Sequence, residues 1–158
     1  MDSRVCCFTG HRPEKLNMSE QEVKKLLEKA IKASADDGFS TFITGMARGI
    51  DMWAAEIVLN LKSQNADISL ICAPPYEGFE KKWETSEQKL YHHILESADD
   101  VKFICKHYSR SCFQIRNCYM VDNSNRIIAF YNGEKGGTKN TIDYAVRRGV
   151  EVINVLKN

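Results

Sequence analysis

Short apolar segments alternate with longer amphipathic segments along the whole chain. Six nearly continuous apolar runs are typical of parallel strands that are buried on both faces of a sheet. They lie at Arg4–Phe8, Thr41–Thr44, Ile68–Ala73, Val101–Cys105, Arg126–Tyr131 and Glu151–Val155. Between them lie five helical patterns, two of which place apolar residues at i, i+3, i+4 and i+7 from Val23 and from Ile50. The other three cover Phe79–Ser97, with a break expected near Thr85, Ser111–Val121 and Thr138–Arg148.

This alternation, which contains no hairpin signal, predicts a doubly wound three-layer α/β fold. We expect a mostly parallel sheet of about six strands with helices on both faces, because parallel crossovers are right-handed. The length of 158 residues fits one domain over residues 1–158. Ser19 and Glu22 have the spacing of a capping box, which predicts the start of the first helix, and Gly149 stands where the last helix should end.

Composition and charge exclude several classes of partner. The chain carries 22 Lys plus Arg against 21 Asp plus Glu, a net charge of +1. Duplex nucleic acid is therefore a disfavoured partner, since binding it through a basic surface needs many uncompensated cations. No apolar run approaches the roughly 20 residues that span a membrane. Met1–Arg4 carry no apolar region of a signal peptide, so we expect a cytoplasmic protein with no membrane partner.

The six cysteines do not indicate a metal or redox site. No pair has the C-x-x-C spacing of a zinc or redox motif, and no other metal motif is present. Four of them lie in apolar runs, which predicts reduced and buried thiols: Cys6, Cys7, Cys72 and Cys105. Cys112 and Cys118 lie in a more polar stretch, where either a buried or a surface thiol fits.

Candidate chemistry is concentrated in the connections that lead from a strand into a helix. In a doubly wound sheet ligands bind beyond the carboxyl ends of the strands, which is where these connections lie. Seven of the nine glycines belong to them: Gly10, Gly45, Gly49, Gly78, Gly133, Gly136 and Gly137. The helix-to-strand connections, by contrast, have ordinary turn composition. We therefore expect the functional site at the strand-to-helix edge of the sheet.

Two of these connections have the character of a phosphate cradle. In Gly45–Asp51, glycine lets the backbone approach a ligand closely, and the helix that begins near Gly49 offers unpaired N–H groups. Gly136–Thr138 opens the last helix in the same way. With Arg12 and Arg48 to neutralise charge, the pattern predicts an anionic small molecule. The alternative is that the glycines only form tight turns, which two such loops at one edge disfavour. The P-loop motif and the G-x-G-x-x-G fingerprint are both absent.

Three segments together resemble a known family. Phe8–Pro13 (FTGHRP), Ile43–Glu56 (ITGMARGIDMWAAE) and Gly136–Thr138 (GGT) are similar to the YpsA-like branch of the SLOG superfamily, a bacterial group. That superfamily joins the DNA-uptake protein DprA with the LOG cytokinin-activating enzymes. The resemblance implies a Rossmann-like fold that binds a nucleotide or a nucleotide derivative, such as ADP-ribose or NAD. No cofactor beyond such a ligand is expected.

The predicted ligand-binding set combines the family pattern with Tyr76, which the preceding proline pair could present to a base or ribose. It comprises Thr9, Gly10, His11, Arg12, Gly45, Met46, Arg48, Gly49, Asp51, Tyr76, Gly136, Gly137 and Thr138. No catalytic residue is identified, and the candidates are Asp51, Glu56 and His11. Asp51 and Glu56 lie about 140° apart around a helix, so they do not form a carboxylate dyad.

The last motif departs from the LOG pattern. LOG enzymes carry P-G-G-x-G-T-x-x-E with a catalytic glutamate, whereas Lys135–Asp143 lacks that glutamate and offers Asp143 at the wrong offset. The stretch is more similar to the binding loop of DprA. We therefore expect a nucleotide-binding sensor or regulatory protein. The alternatives are a nucleotide N-glycosidase and, less favoured by the neutral charge, a DprA-like binder of single-stranded DNA. A homodimer is allowed, although no apolar stripe marks an interface.

Overall fold

Six parallel strands form one sheet in the computed structural model, which describes residues 4–156 and only the backbone of Pro13. The strands are β1 (Arg4–Gly10), β2 (Phe39–Thr44), β3 (Ser69–Cys72), β4 (Asp100–Val101), β5 (Arg126–Phe130) and β6 (Glu151–Asn154). Their order across the sheet is β4-β3-β2-β1-β5-β6, and every neighbouring pair is parallel. The predicted parallel sheet is confirmed. Residues 1–3, on which the prediction of no leader largely rests, lie outside the described residues.

Five helices cover the two faces of the sheet. They are α1 (Glu20–Asp36), α2 (Ile50–Gln64), α3 (Thr85–Ser97), α4 (Cys112–Asp122) and α5 (Gly137–Arg147). The predicted capping box of α1 is present: Ser19 Oγ accepts from the Glu22 N–H at 3.1 Å, and Glu22 Oε1 accepts from the Ser19 N–H at 3.3 Å. Apolar residues of α1, α2 and α3 pack in one core cluster, and those of α4 and α5 pack in a second. The sheet between the two clusters completes a three-layer Rossmann-like fold.

Two predicted elements are shorter in the structure. In the helical pattern predicted over 79–97, the helix begins at Thr85, where the break was expected, and residues 79–83 before it form turns and a bend. β4 has two residues instead of the predicted Val101–Cys105. Beyond it the N–H groups of Ile104 and Cys105 still donate to the carbonyls of the Pro74–Pro75 pair. Prolines have no N–H group to donate to the carbonyls of the neighbouring segment, so a regular ladder of hydrogen bonds cannot continue there.

The cysteines are all free thiols, four of them buried. Cys6, Cys7, Cys72 and Cys112 are buried, whereas Cys105 and Cys118 are half-buried. Burial raises the pKa of Cys7 and of Cys72 to about 12, so both remain protonated at neutral pH. Within residues 4–156 no group of three or more His, Cys, Asp or Glu side chains could hold a metal ion. None of the described helices is both long and apolar enough to cross a bilayer.

Arg126 closes the amino-terminal edge of the sheet. Its guanidinium donates to Asp37 at 2.9 Å, to Glu151 at 2.8 Å and to Ser34 at 3.1 Å, and it lies 4.4 Å from the centroid of the Phe39 ring. These contacts join β5 to the end of α1, to β2 and to β6. The opposite, carboxyl-terminal edge is therefore the one left open for a site.

The chain reverses direction across the sheet at β1. β1 pairs with β2 on one side and with β5 on the other, and the helices that follow β1 and β5 lie on opposite faces. Such a topological switch point opens a crevice beyond the carboxyl ends of the two strands. Thr9 and Gly10 end β1 at this point, and Gly136 stands just before α5.

Candidate ligand-binding site

A cavity of about 600 Å³ lies at this switch point, and we call it the edge cavity. Its lining comes from the connection after β1, the start of α2, the connection after β3, and the amino ends of α3, α4 and α5. The predicted ligand-binding residues that line it are Thr9, Gly10, Arg12, Arg48, Gly49, Asp51, Gly137 and Thr138. The topology thus brings residues from three predicted connections, those after β1, β2 and β5, to one place.

Of the helix amino-termini that border the edge cavity, those of α2 and α5 are each preceded by a glycine. Gly49 caps α2 with φ of 89°, and Gly136 caps α5 with φ of 144°, conformations that side chains disfavour. Neither helix receives a hydrogen bond from a capping side chain. The first N–H groups of a helix have no intrahelical acceptor, so they are available to an anion. A Cβ on Gly137 would meet no atom within 4 Å, so space beside this helix start is open.

Two buried side chains of opposite charge, Asp51 and Arg116, line the edge cavity. Asp51 accepts a hydrogen bond from the Ala47 N–H at 3.3 Å, and its own carbonyl accepts from Thr44 Oγ1 at 2.8 Å. Burial raises the pKa of the Asp51 carboxyl, and the nearby charge of Arg116 opposes that shift. Burial lowers the pKa of Arg116, which Asp51 in turn opposes.

Arg116 fixes the β2–α2 connection to α4. Its Nη1 donates to the Gly45 carbonyl, and its Nε donates to Asn117 Oδ1 at 2.8 Å. The side chain is buried and lines the edge cavity together with Asn117. Neither residue belongs to the predicted ligand-binding set. Their observed role is to hold the β2–α2 connection: Arg116 donates to the Gly45 carbonyl, and Asn117 accepts from Arg116.

Two predicted ligand-binding residues, His11 and Met46, are buried and do not line the edge cavity. His11 is buried; its N–H donates to the Phe130 carbonyl at 3.1 Å, and its ring lies 5.4 Å from the Tyr131 ring. Burial lowers the pKa of His11, which favours the neutral imidazole. The Met46 side chain is wholly buried in the larger core cluster. Neither lines the edge cavity.

Four other predicted positions lie behind or beside the lining. Gly45 contacts the Arg116 guanidinium, and Gly136 precedes the lining residue Gly137. Tyr76 packs behind the cavity, with its ring centroid 5.6 Å from that of Phe79. Glu56 does not line the cavity, as its angular separation from Asp51 on α2 requires.

Five aromatic residues line the edge cavity, and none of them belongs to the predicted set: Phe8, Trp53, Phe79, Trp83 and Phe113. Phe79, Trp83 and Phe113, which we call the aromatic wall, come from the turns after β3 and from the first turn of α4. The ring centroids of Phe79 and Trp83 are 5.1 Å apart, and those of Phe79 and Phe113 are 5.8 Å apart. The only signal in the sequence is a tryptophan in a polar turn soon after two prolines.

The charge of the edge cavity is mixed rather than basic. Glu14, Asp51 and Glu87 line it together with three arginines, at positions 12, 48 and 116. Arg48 Nη1 lies 3.6 Å from Glu87 Oε1, and its guanidinium lies 5.8 Å from the centroid of the Trp83 ring. Arg48 is thus turned toward the aromatic wall and partly neutralised.

Comparison with known proteins agrees with this fold. The model of the YspA SLOG family matches residues 6–151. The chain belongs to this family. A UPF0398 protein of Bacillus thuringiensis (strain Al Hakam) is 28% identical over 159 residues, covering 96% of this chain and 86% of the relative. A UPF0398 protein of Halalkalibacterium halodurans is 31% identical over 143 residues, covering 85% of this chain and 76% of the relative. The predicted SLOG resemblance is confirmed.

Solved structures of DNA processing protein A share the fold of this SLOG-family chain. The protein from Streptococcus pneumoniae has a TM-score of 0.66 at 18% identity, covering 95% of this chain and 49% of the other. The protein from Helicobacter pylori, described for its single-stranded DNA binding mode, has a TM-score of 0.62 at 15% identity, covering 94% and 63%. The chain therefore spans about half of the first structure and somewhat less than two thirds of the second.

Proposed function

We propose that this SLOG-family protein binds a nucleotide or a nucleotide-derived anion, such as ADP-ribose or NAD, in the edge cavity. The observation that carries the proposal is the convergence of two glycine-capped helix amino-termini, those of α2 and α5, on one cavity. Helix amino-termini with free N–H groups favour phosphate. The cavity volume of about 600 Å³ is typical of small-molecule sites.

In this proposal the phosphate lies against the start of α5. Gly137 leaves space for close approach, and the Thr138 hydroxyl lies on the cavity lining next to it. Arg12, whose side chain is exposed, supplies a mobile cation at the rim. Because acidic groups also line the cavity, selectivity would come from directed N–H groups rather than from net positive charge.

We further propose a sensor or regulatory role rather than catalysis. Asp143, the carboxylate nearest to the position of the LOG catalytic glutamate, is paired with Lys139 at 2.7 Å and is not a lining residue. Glu56 is also absent from the lining. The simpler function for this site is therefore one in which the ligand binds and alters the protein but is not chemically converted.

A nucleotide N-glycosidase is the second candidate, and Asp51 is the observation that favours it. A buried carboxyl with a raised pKa on the lining of a cavity is suited to general acid catalysis. Incubation with nucleoside monophosphates, followed by chromatography for the free base, tests this candidate. Release of base that is abolished by Asp51→Asn would support it, and no release would exclude it for those substrates.

Single-stranded DNA binding is the third candidate. It rests on the shared fold and on the aromatic wall. Proteins that bind single-stranded DNA stack its bases on aromatic side chains. A mobility-shift assay with single-stranded oligonucleotides at two salt concentrations tests it. A shift that weakens with salt would favour this candidate over a small ligand.

The main proposal is tested with Gly137→Glu and its uncharged match Gly137→Gln. Gly137 has open space around it, and a glutamate at a helix start is favourable, so both variants should fold. Ligand at 100 times its Kd stabilises by about 2.7 kcal/mol and raises the Tm by roughly 5–11 °C. We expect AMP, NAD or ADP-ribose to raise the Tm of the parent protein, to act more weakly on Gly137→Gln and to leave Gly137→Glu unchanged. A parent protein that responds to none of the three, or a Gly137→Glu variant that responds like the parent, would refute the proposal.

A further inference from the structure

We infer that the aromatic wall is a nucleobase subsite, so that the ligand is a nucleotide that retains its base and lies with the base toward the wall and the phosphate toward α5. The inference rests on the proposed function and adds to it the class and the orientation of the ligand. It is carried by the placement of Phe79, Trp83 and Phe113 on one side of the edge cavity.

The topology separates the wall from the phosphate end of the cavity. Phe79 follows β3 and Gly137 follows β5, and these two strands are three positions apart in the sheet order. Three strand spacings correspond to about 14 Å. A lone phosphate at α5 therefore leaves the wall uncovered, whereas a ligand in which a sugar separates phosphate from base extends toward both ends.

The wall is held in place before any ligand arrives. Trp83 packs edge-to-face on Phe79 and, at 5.4 Å between centroids, on Tyr91, whose side chain is buried in the larger core cluster. Phe113 is tied to Phe79 from α4. All three wall residues are half-buried, so part of each ring remains accessible. A flat apolar base can cover those surfaces without any rearrangement of the rings.

Two charged side chains, those of Arg48 and Glu87, lie beside the wall. Arg48 and Glu87 line the same side of the cavity, 3.6 Å apart, with the Arg48 guanidinium 5.8 Å from the Trp83 ring. A guanidinium donates to ring nitrogens and carbonyls of a base, and a carboxylate accepts from its amino groups. A purely apolar wall would bind any apolar ligand. The Arg48–Glu87 pair adds the donor and acceptor groups that make the subsite suitable for a nucleobase.

The test compares AMP with ribose 5-phosphate, which carries the same sugar and phosphate without the base. Base–aromatic stacking predicts that the parent protein binds AMP on the order of 5- to 150-fold more tightly. Trp83→Leu should lower the affinity for AMP toward that for ribose 5-phosphate and leave the latter unchanged. Phe113→Leu should show the same pattern and serves as the second variant if Trp83→Leu does not fold. Tyr108→Leu is the matched control, because Tyr108 contacts Phe113 but does not line the cavity.

Fluorescence gives an independent reading of the orientation. Trp53 and Trp83 are the two tryptophans of the chain, and both line the edge cavity. Trp53→Phe keeps an aromatic ring at position 53 and leaves Trp83 as the only indole reporter, and its AMP affinity is measured beside that of the parent. We expect AMP to quench Trp83 and ribose 5-phosphate at saturation to leave it unchanged. Equal affinity for the two probes, or unchanged AMP affinity in both wall variants, would overturn the inference while the proposed phosphate site stands. Binding of neither probe, nor of NAD or ADP-ribose, would overturn the proposed function and the subsite with it.

Discussion

Replacing Gly45 by alanine tests whether the buried Arg116 holds the β2–α2 connection in place. A Cβ on Gly45 would lie 2.7 Å from Arg116 Nη1 and 2.9 Å from Arg116 Cδ and Cζ, closer than real contacts allow. The φ angle of Gly45 is not in the left-handed region, so alanine suffers no backbone strain there. The whole effect of the substitution therefore comes from the contact with Arg116.

The protein can relieve this contact in two ways. The expected loss of stability is that of the change that costs less free energy. If Arg116 moves, its charged hydrogen bond to the Gly45 carbonyl is lost, at about 1.5–3 kcal/mol. If the guanidinium stays, the backbone must shift, at about 1–3 kcal/mol. We therefore expect Gly45→Ala to lower the free energy of unfolding by roughly 1–3 kcal/mol, and the Tm by about 2–12 °C.

Urea unfolding followed by far-UV circular dichroism measures this loss. Arg116→Ala alone should also destabilise, since it leaves the Asp51 carboxylate buried without its nearby cation. In that background Gly45→Ala should have almost no further effect, because the clashing Cδ, Cζ and Nη1 atoms are all gone. Gly137→Ala is the control for a glycine with open space, and its stability should equal or slightly exceed that of the parent. An equal loss from Gly45→Ala in both backgrounds, or a loss below about 0.5 kcal/mol in the parent, would refute the reasoning.

Two further predictions concern stability away from the edge cavity. Lys62 donates a hydrogen bond to Asp99 at 2.5 Å and lowers the pKa of that carboxyl. Asp99 therefore stabilises the fold at pH values above its pKa in the unfolded chain. This stabilisation is lost as the pH falls through the lowered pKa of the folded protein. Asp99→Ala should therefore lower the free energy of unfolding by about 1–2 kcal/mol at pH 7, and the difference should shrink below about pH 3.9. Arg126→Met removes the ion pairs and the contact with Phe39, and should lower the free energy of unfolding by about 2–4 kcal/mol. Glu151→Gln should cost under about 1 kcal/mol, because that carboxylate is half exposed.

Urea titrations over a range of pH check both predictions. A loss from Asp99→Ala that stays constant down to pH 2 would show that the carboxylate charge is not the source of its effect. An Arg126→Met variant as stable as Glu151→Gln would mean that the remaining contacts of Arg126 contribute nothing. Arg126→Met should also keep the AMP affinity of the parent while the protein is folded, since Arg126 lies at the opposite edge of the sheet.

Most of the fold could be predicted because burial on both faces leaves a direct trace in the sequence. β5 is buried at every one of its positions, and its residues form one of the continuous apolar runs. The start of α1 could be placed at Ser19 because a capping box is local chemistry. The strand-to-helix edge could be predicted as the site because parallel topology sends every such connection to the same edge.

Parts of the site could not be predicted because they depend on contacts between distant segments. Arg116 and Gly45 are 71 positions apart, and nothing in either segment indicates that a guanidinium on α4 supports the loop after β2. Met46 lies in a motif whose neighbours line the cavity, yet its side chain enters the core. The short β4, by contrast, was open to prediction, since two adjacent prolines cannot donate to a ladder.

The two-residue length of β4 also affects whether another chain can pair with the outer edge of the sheet. β4 is an outer strand of the sheet, and a long outer strand would expose a row of free N–H and C=O groups on which another chain could add a strand. Here the row is short, and the exposed charged side chains of Asp99, Asp100 and Lys102 surround it. Strand addition by another chain is therefore disfavoured at this side of the sheet.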